Sequence, residues 1–148
     1  MSDEKVLPPA LTGSVGFLMT KLSQRLIQVS GERLSDLQVQ VRHVGVMMLV
    51  SARGPMSQRA IGDAIPIDRT TMVGVVDDLE RLGYATRTAD PTDRRAALVG
   101  LTDRGREAVH EAHGIVQAVE GEFLKSLSPR QQSQFRDMLF TLCQGDIL

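Results

Sequence analysis

The chain has 148 residues, 42% of them hydrophobic, which suits one domain with a buried core. Its 17 lysines and arginines stand against 18 aspartates and glutamates, so no uniformly basic surface is available and charge placement must decide any role with nucleic acid. The single cysteine, Cys143, excludes an intrachain disulfide framework and fits a reducing cytoplasm, the opening MSDEKVLPPALTG lacks the pattern of a signal peptide, and no run approaches the roughly 18 apolar residues of a membrane span.

From Pro8 to Val29 the apolar residues Leu11, Val15, Leu18, Leu22 and Leu26 recur every three or four positions, which predicts an amphipathic helix broken by Ser30-Gly31-Glu32-Arg33. Leu34 to Val41 reads as a short helix or an irregular link. A second helix is expected from Arg42 to Ala52, with Val44, Met47, Met48 and Leu49 apolar, and Gly54-Pro55 stops it. Ser57 is placed to cap a short helix from Gln58 to Ile65, which Pro66 closes, and Asp68 to cap another from Arg69 to Leu82. On the latter, Met72, Val75, Val76, Leu79 and Leu82 share one stripe, while Arg69, Thr70, Val73, Gly74 and Asp77 lie toward another side.

Gly83 supplies a left-handed cap, after which Tyr84 to Thr88 and Ala96 to Leu101 read as two short strands joined through Asp90-Pro91-Thr92-Asp93-Arg94-Arg95. Thr102 caps a long helix reaching about Leu124, with Val109, Ala112, Val116, Val119 and Phe123 at helical spacing. Ser128-Pro129 starts a last helix whose stripe is Phe135, Met138, Leu139 and Leu142, with Cys143 expected to be buried or half-buried near its end. The fold class expected is mainly α with a small β-hairpin wing: a single domain over 1–148, holding a winged helix-turn-helix module at 42–105 between long helices at 8–30 and 103–146. The apolar stripes of those flanking helices are most easily buried by a second copy of the chain, which predicts a homodimer.

Nine arginines (Arg53, Arg59, Arg69, Arg81, Arg87, Arg94, Arg95, Arg104 and Arg106) fall in the central stretch 53–106, where they can form a local positive face. In a helix-turn-helix the first helix lies across the DNA backbone and the N-terminal turn of the second enters the major groove. That makes Ser57, Gln58, Arg59, Arg69, Thr70, Thr71 and Gly74 candidate DNA contacts. Arg69 can reach guanine edges or phosphate, Thr70 and Thr71 can donate to phosphates or touch a thymine methyl, and the amides of the same turn favour an anion. At the hairpin tip Arg94 and Arg95 project toward a neighbouring minor groove, with Asp93 placed to orient the Arg95 guanidinium. Taken alone, an Arg-Thr-Thr helix start is also ordinary capping, and a mixed-charge central stretch is also ordinary surface.

In order and at the expected spacing, Asp68-Arg69-Thr70-Thr71, Leu79-Glu80-Arg81-Leu82-Gly83, Asp90-Pro91-Thr92-Asp93-Arg94-Arg95 and Leu101-Thr102-Asp103-Arg104-Gly105 resemble the MarR family of bacterial transcriptional regulators. The match runs from about Ser57 to Ala108, and the flanking helices agree in length and pattern. The resemblance implies a triangular homodimer in which terminal helices form the interface and each winged module addresses half of a roughly palindromic duplex site. It also implies that Arg95 enters the minor groove with Asp93 positioning it. The chain departs from the family pattern twice. Val73-Gly74 replaces a frequent polar pair such as Thr-Arg, so a base or phosphate contact is missing there or replaced by close backbone approach, and Pro66 replaces a frequent glycine and stiffens the turn between the helices.

The resemblance further implies release from DNA by an aromatic acid or phenol, by cysteine oxidation or by a metal. A thiol switch is disfavoured because the one cysteine lies on the final helix. His110 and His113, three apart on a helix near Glu111 and Glu120, are the alternative for a metal-responsive regulator, although surface histidines are the commoner outcome and no metal is assigned. A small organic effector is favoured, between the long helices and the winged module, with Phe17, His43, Met47 and Met48 as wall residues. No cofactor, membrane partner or catalytic constellation is expected, so the chain reads as a cytoplasmic, dimeric regulator, most simply a repressor. A winged module that binds protein instead of DNA is the other alternative, and the intact Arg94-Arg95 wing argues against it.

Overall fold

The computed structural model describes residues 7–145. The acidic first residues and the last position of the predicted 103–146 segment lie outside them. Helices α1 (Pro9–Thr12) and α2 (Val15–Arg33) lead through a 3₁₀ turn at Ser35–Leu37 to α3 (Val41–Arg53). Then come β1 (Met56–Ser57), α4 (Gln58–Ala64), α5 (Arg69–Arg81), β2 (Ala85–Ala89), β3 (Ala97–Leu101), α6 (Asp103–Leu124) and α7 (Pro129–Gln144). The mainly helical fold with a β-hairpin wing is the one expected. The strands form one antiparallel sheet in the order β1-β3-β2, with Ala85 opposite Leu101 and Ala89 opposite Ala97.

Three local expectations differ. The first helix is broken at Gly13-Ser14, where the Ser14 hydroxyl accepts a hydrogen bond from the Phe17 N–H (3.3 Å) and starts a new helix. It then continues through Ser30 and Gly31 to Arg33, because this end is packed: Ser30 and Leu34 are fully buried, and Arg33 forms a double hydrogen bond with Glu122 on α6 (2.9 and 2.8 Å). Tertiary contact here outweighs the weak helix preference of Ser-Gly. Strand β1 was not expected, since two residues are too few to show alternation; Met56 and Ser57 pair with Val99 and Leu98. Cys143 is exposed, because α7 buries none of its residues within one chain.

The core gathers Leu34, Val44, Met47, Ile61, Val75, Val76, Leu79, Val99 and Ala112, so α3, α4, α5, β3 and the first half of α6 share one interior. His43 belongs to it, with 3% exposure. Its Nδ1 accepts from the Gln40 N–H (3.0 Å), which leaves Nε2 to donate to Asp78 Oδ2 on α5 (3.2 Å). Burial holds the imidazole below its ordinary pKa of 6.5, against the opposing pull of Asp78.

Two glycines fix how α5, the wing and α6 join. Gly83, at φ 74°, ends α5 in a left-handed cap; its N–H reaches Glu80 O (2.9 Å) while the Tyr84 N–H reaches Leu79 O (2.8 Å). Gly105 lies in the first turn of α6 against the Tyr84 carbonyl, and a Cβ there would overlap that oxygen. Thr102 seals the joint by donating its hydroxyl to Gly83 O (2.7 Å) and accepting the Gly105 N–H (2.9 Å). Leu-Thr-x-x-Gly is thus the seam between wing and helix.

Candidate nucleic-acid interface

Helix α4 begins where the Ser57 hydroxyl accepts the Ala60 N–H (3.2 Å) and ends at Ala64. Ile65 is extended (φ −126°, ψ 137°), as the residue before a proline tends to be, and the chain turns into α5 within four residues. Asp68 caps α5: its carboxylate takes both the Thr71 N–H (2.9 Å) and the Thr71 hydroxyl. Those bonds, the hydroxyl's first, hold the Asp68 pKa below the ordinary carboxylate value. Thr71 is therefore engaged within the cap, and its amide is already satisfied by an anion. Arg69 and Thr70 are exposed on the same turn, with Val73 and Gly74 one turn further on, while Met72, Val75, Val76 and Leu79 face the core.

The wing tip consists of two successive aspartate-centred turns. Asp90 Oδ1 accepts from the Thr92 N–H (2.8 Å) and hydroxyl (2.7 Å), and Asp93 Oδ1 accepts from the Arg95 N–H (2.9 Å). Asp93 was expected to hold the Arg95 guanidinium; it bonds the Arg95 backbone instead, because a carboxylate two residues upstream fits the amide of its own turn. Arg94 and Arg95 project exposed from this frame.

Arg87 on β2 is the residue whose role the sequence did not reveal. Its Nε donates to Gln58 Oε1 (3.2 Å), its guanidinium pairs with Asp77 (2.7 Å) and Glu80 on α5, and its backbone N–H donates to Glu80 (3.1 Å). One side chain thus clamps the wing to both helices, and Gln58 spends its carbonyl on that clamp. A strand arginine in a mixed-charge segment gives no pattern that betrays its partners. Arg87 is neutralised, whereas among the described residues Arg59, Arg69, Arg94 and Arg95 form no ion pair.

Between the helix pair and the wing lies an open groove of about 720 Å³, lined among others by Ser57, Gln58, Arg59, Arg69, Val73 and Arg95. A second cleft of about 590 Å³ separates the end of α3 (Met48, Ser51, Ala52) from α6 (Arg106, Val109, His110, His113, Gln117). The four residues expected to wall an effector site are not brought together. Met48 lines this cleft; Met47 and His43 are sealed in the core, and Phe17 is half-buried on α2. His110 and His113 share the cleft, and among the described residues no three His, Cys, Asp or Glu side chains are grouped to hold a metal ion.

A helix pair with a hairpin wing, arginines on both sides of one groove, defines a winged helix-turn-helix protein. The model of the MarR family matches residues 35–96. Over 89 residues the chain is 33% identical to the uncharacterized HTH-type transcriptional regulator YkoM of Bacillus subtilis, covering 60% of this chain and 58% of that protein. Over 98 residues it is 30% identical to the HTH-type transcriptional repressor NicR of Pseudomonas putida, covering 66% and 62%. The chain thus matches about three fifths of the length of these curated relatives. A MarR-family transcriptional regulator from Rhodococcus sp. RHA1 superposes with a TM-score of 0.84 at 28% identity, covering 93% of this chain and 97% of that one. Residues 35–96 are thus similar to the MarR family of transcriptional regulators, and the chain as a whole shares the fold of a solved MarR-family structure.

Proposed function

We propose that the protein binds duplex DNA sequence-specifically as a homodimer and represses transcription until a small organic acid releases it. The observation that carries this reading is the groove itself. Arg59 and Arg69 on the helix pair and Arg95 on the wing line one concave surface without carboxylate partners among the described residues, and a phosphate backbone is their natural counterion. The first turn of α5 supplies Arg69 and Thr70 to the major groove, Ser57 and Gln58 set the angle of α4 across the backbone, and Asp93 shapes the tip from which Arg94 and Arg95 reach the minor groove.

Dimerisation is supported by apolar surface that one chain leaves bare: Val15, Leu18, Met19, Leu22 and Ile27 on α2, and Met138, Phe140 and Leu142 on α7. Residues 42–105 then form the DNA-reading module, and the helices on either side hold two such modules at half-site spacing. NicR, named as a repressor, supports the sign of regulation. The α3–α6 cleft supports the effector, since it sits where the DNA module meets a long helix and combines the Met48 and Val109 surface with the cationic Arg106 and the imidazoles of His110 and His113. Among the described residues no helix is long and apolar enough to cross a membrane, and the role proposed is that of a cytoplasmic, non-catalytic DNA-binding protein.

The test is a mobility-shift titration on the DNA flanking the protein's own gene, repeated with a panel of aromatic acids. Retarded duplex that one acid releases is the expected result. Absence of any retarded species rejects the reading.

A further inference from the structure

The outward side of α5 carries a pair that the protein's own stability does not ask for. Val73 is 43% exposed and lines the groove beside Arg69, while its neighbours Met72, Val75 and Val76 fill the core. Gly74 lies one turn beyond Thr70. A Cβ placed on it would meet nothing within 4 Å, in contrast to Gly105, so no intramolecular contact demands glycine there. Glycine inside a helix is unfavourable relative to alanine, and an apolar side chain in an open groove gains nothing from its own fold. Ser57, Gln58, Arg59, Asp63 and Arg95 line the same groove from α4 and the wing, but along α5 itself the outward polar groups are few. Arg69 and Thr70 precede it, and Asp77, the next outward residue, is held by Arg87. The middle of the helix therefore presents an isopropyl group beside a strip of bare backbone.

On the base edges of the major groove, the one apolar feature is the thymine 5-methyl group. Resting on the proposed DNA binding, we propose that α5 reads thymine through Val73, and that Gly74 lets the helix seat deeply enough for that contact. Arg69, one turn earlier on the same line, addresses a neighbouring base pair or its phosphate. The preferred half-site thus contains a thymine whose methyl packs on Val73, and part of the specificity is apolar.

The test starts from a pool of random duplexes, from which the full chain selects its preferred half-site. Each thymine of that half-site is then replaced singly by deoxyuridine, which removes only the methyl. At one thymine the affinity should fall about fourfold, the factor for burying one methyl-sized group. The Val73→Ala protein should bind the thymine and uracil duplexes equally, and Gly74→Ala should melt at a higher temperature yet bind more weakly. Equal affinity for every uracil duplex, a Val73→Ala protein that keeps the discrimination, or a Gly74→Ala protein with undiminished binding overturns the proposal. A pool from which nothing is enriched overturns the DNA binding itself, and the thymine contact falls with it.

Discussion

At the wing tip Asp90 and Asp93 spend their side-chain oxygens on the turn's own N–H and hydroxyl groups, and this stiffens the loop that carries Arg94 and Arg95. Arg95→Ala should accordingly leave the circular dichroism spectrum and melting temperature unchanged while weakening operator binding, and the slope of log K against log salt should shrink by about 0.9 for each phosphate no longer neutralised. A shallower slope at undiminished affinity would assign the arginine to loose counterion exchange alone. Gly105 makes the opposite kind of prediction. A methyl there would overlap the Tyr84 carbonyl oxygen, so Gly105→Ala should cost about 3 kcal/mol of stability in urea titration, the upper range for overpacking, as wing and α6 are forced apart. These two residues stand in neighbouring stretches of the chain, yet the proposed function gives one to the DNA while the structure gives the other to the joint.

Among the elements, α3 and α5 are linked through a single buried histidine. His43 is neutral when it accepts from Gln40 and donates to Asp78, and burial holds its pKa below 6.5. The folded protein then binds fewer protons than the unfolded chain in the interval just below 6.5. This contribution to stability is complete above that pH and is lost as the pH falls through the interval. Replacing His43 with Gln, which can still donate to Asp78, should flatten the stability–pH curve in this interval; an unchanged slope would show that other groups carry it. Asp78 is held below the ordinary carboxylate range first by Arg81 and then by His43, so its own contribution disappears only at more acid pH.

Most element boundaries were legible because caps and stops are local chemistry. Ser57, Asp68, Thr102 and Ser128 each cap the helix expected of them, and Gly54, Pro66 and Gly83 end theirs. What escaped depended on distant partners. The continuation of α2 through Ser30-Gly31 needs α6 beneath it, β1 needs β3 beside it, and the Arg87 clamp joins residues 29, 10 and 7 positions away. The candidate DNA surface was likewise readable as a row of arginines in order along the chain, whereas the ligand wall was not. Methionine and histidine at helical spacing look alike whether they line a cleft, as Met48 does, or fill the core, as Met47 and His43 do.

For the whole molecule, near-neutral net charge and a DNA-facing role are compatible because the acidic residues are used locally. Asp77 and Glu80 neutralise Arg87, Asp78 holds His43 and Arg81, and Asp103 holds Arg106, whereas Arg59, Arg69 and Arg95, which line the groove, form no ion pair among the described residues. In the proposed dimer two such grooves are held at a fixed spacing, a task that falls to the bare apolar faces of α2 and α7. Substituting Leu22 and Phe140 with glutamate should convert the proposed dimer to a monomer by sedimentation and abolish tight operator binding. A monomer that binds with full affinity would separate the two properties.

The most direct measurement is a salt-dependent mobility-shift titration of the full chain on the duplex flanking its own gene, with the Arg69→Ala, Arg95→Ala double variant alongside. Specific binding should weaken steeply with salt, and the variant should fold and dimerise normally but fail to form the complex. Binding that ignores salt, or that survives removal of both arginines, would contradict a groove built to hold DNA.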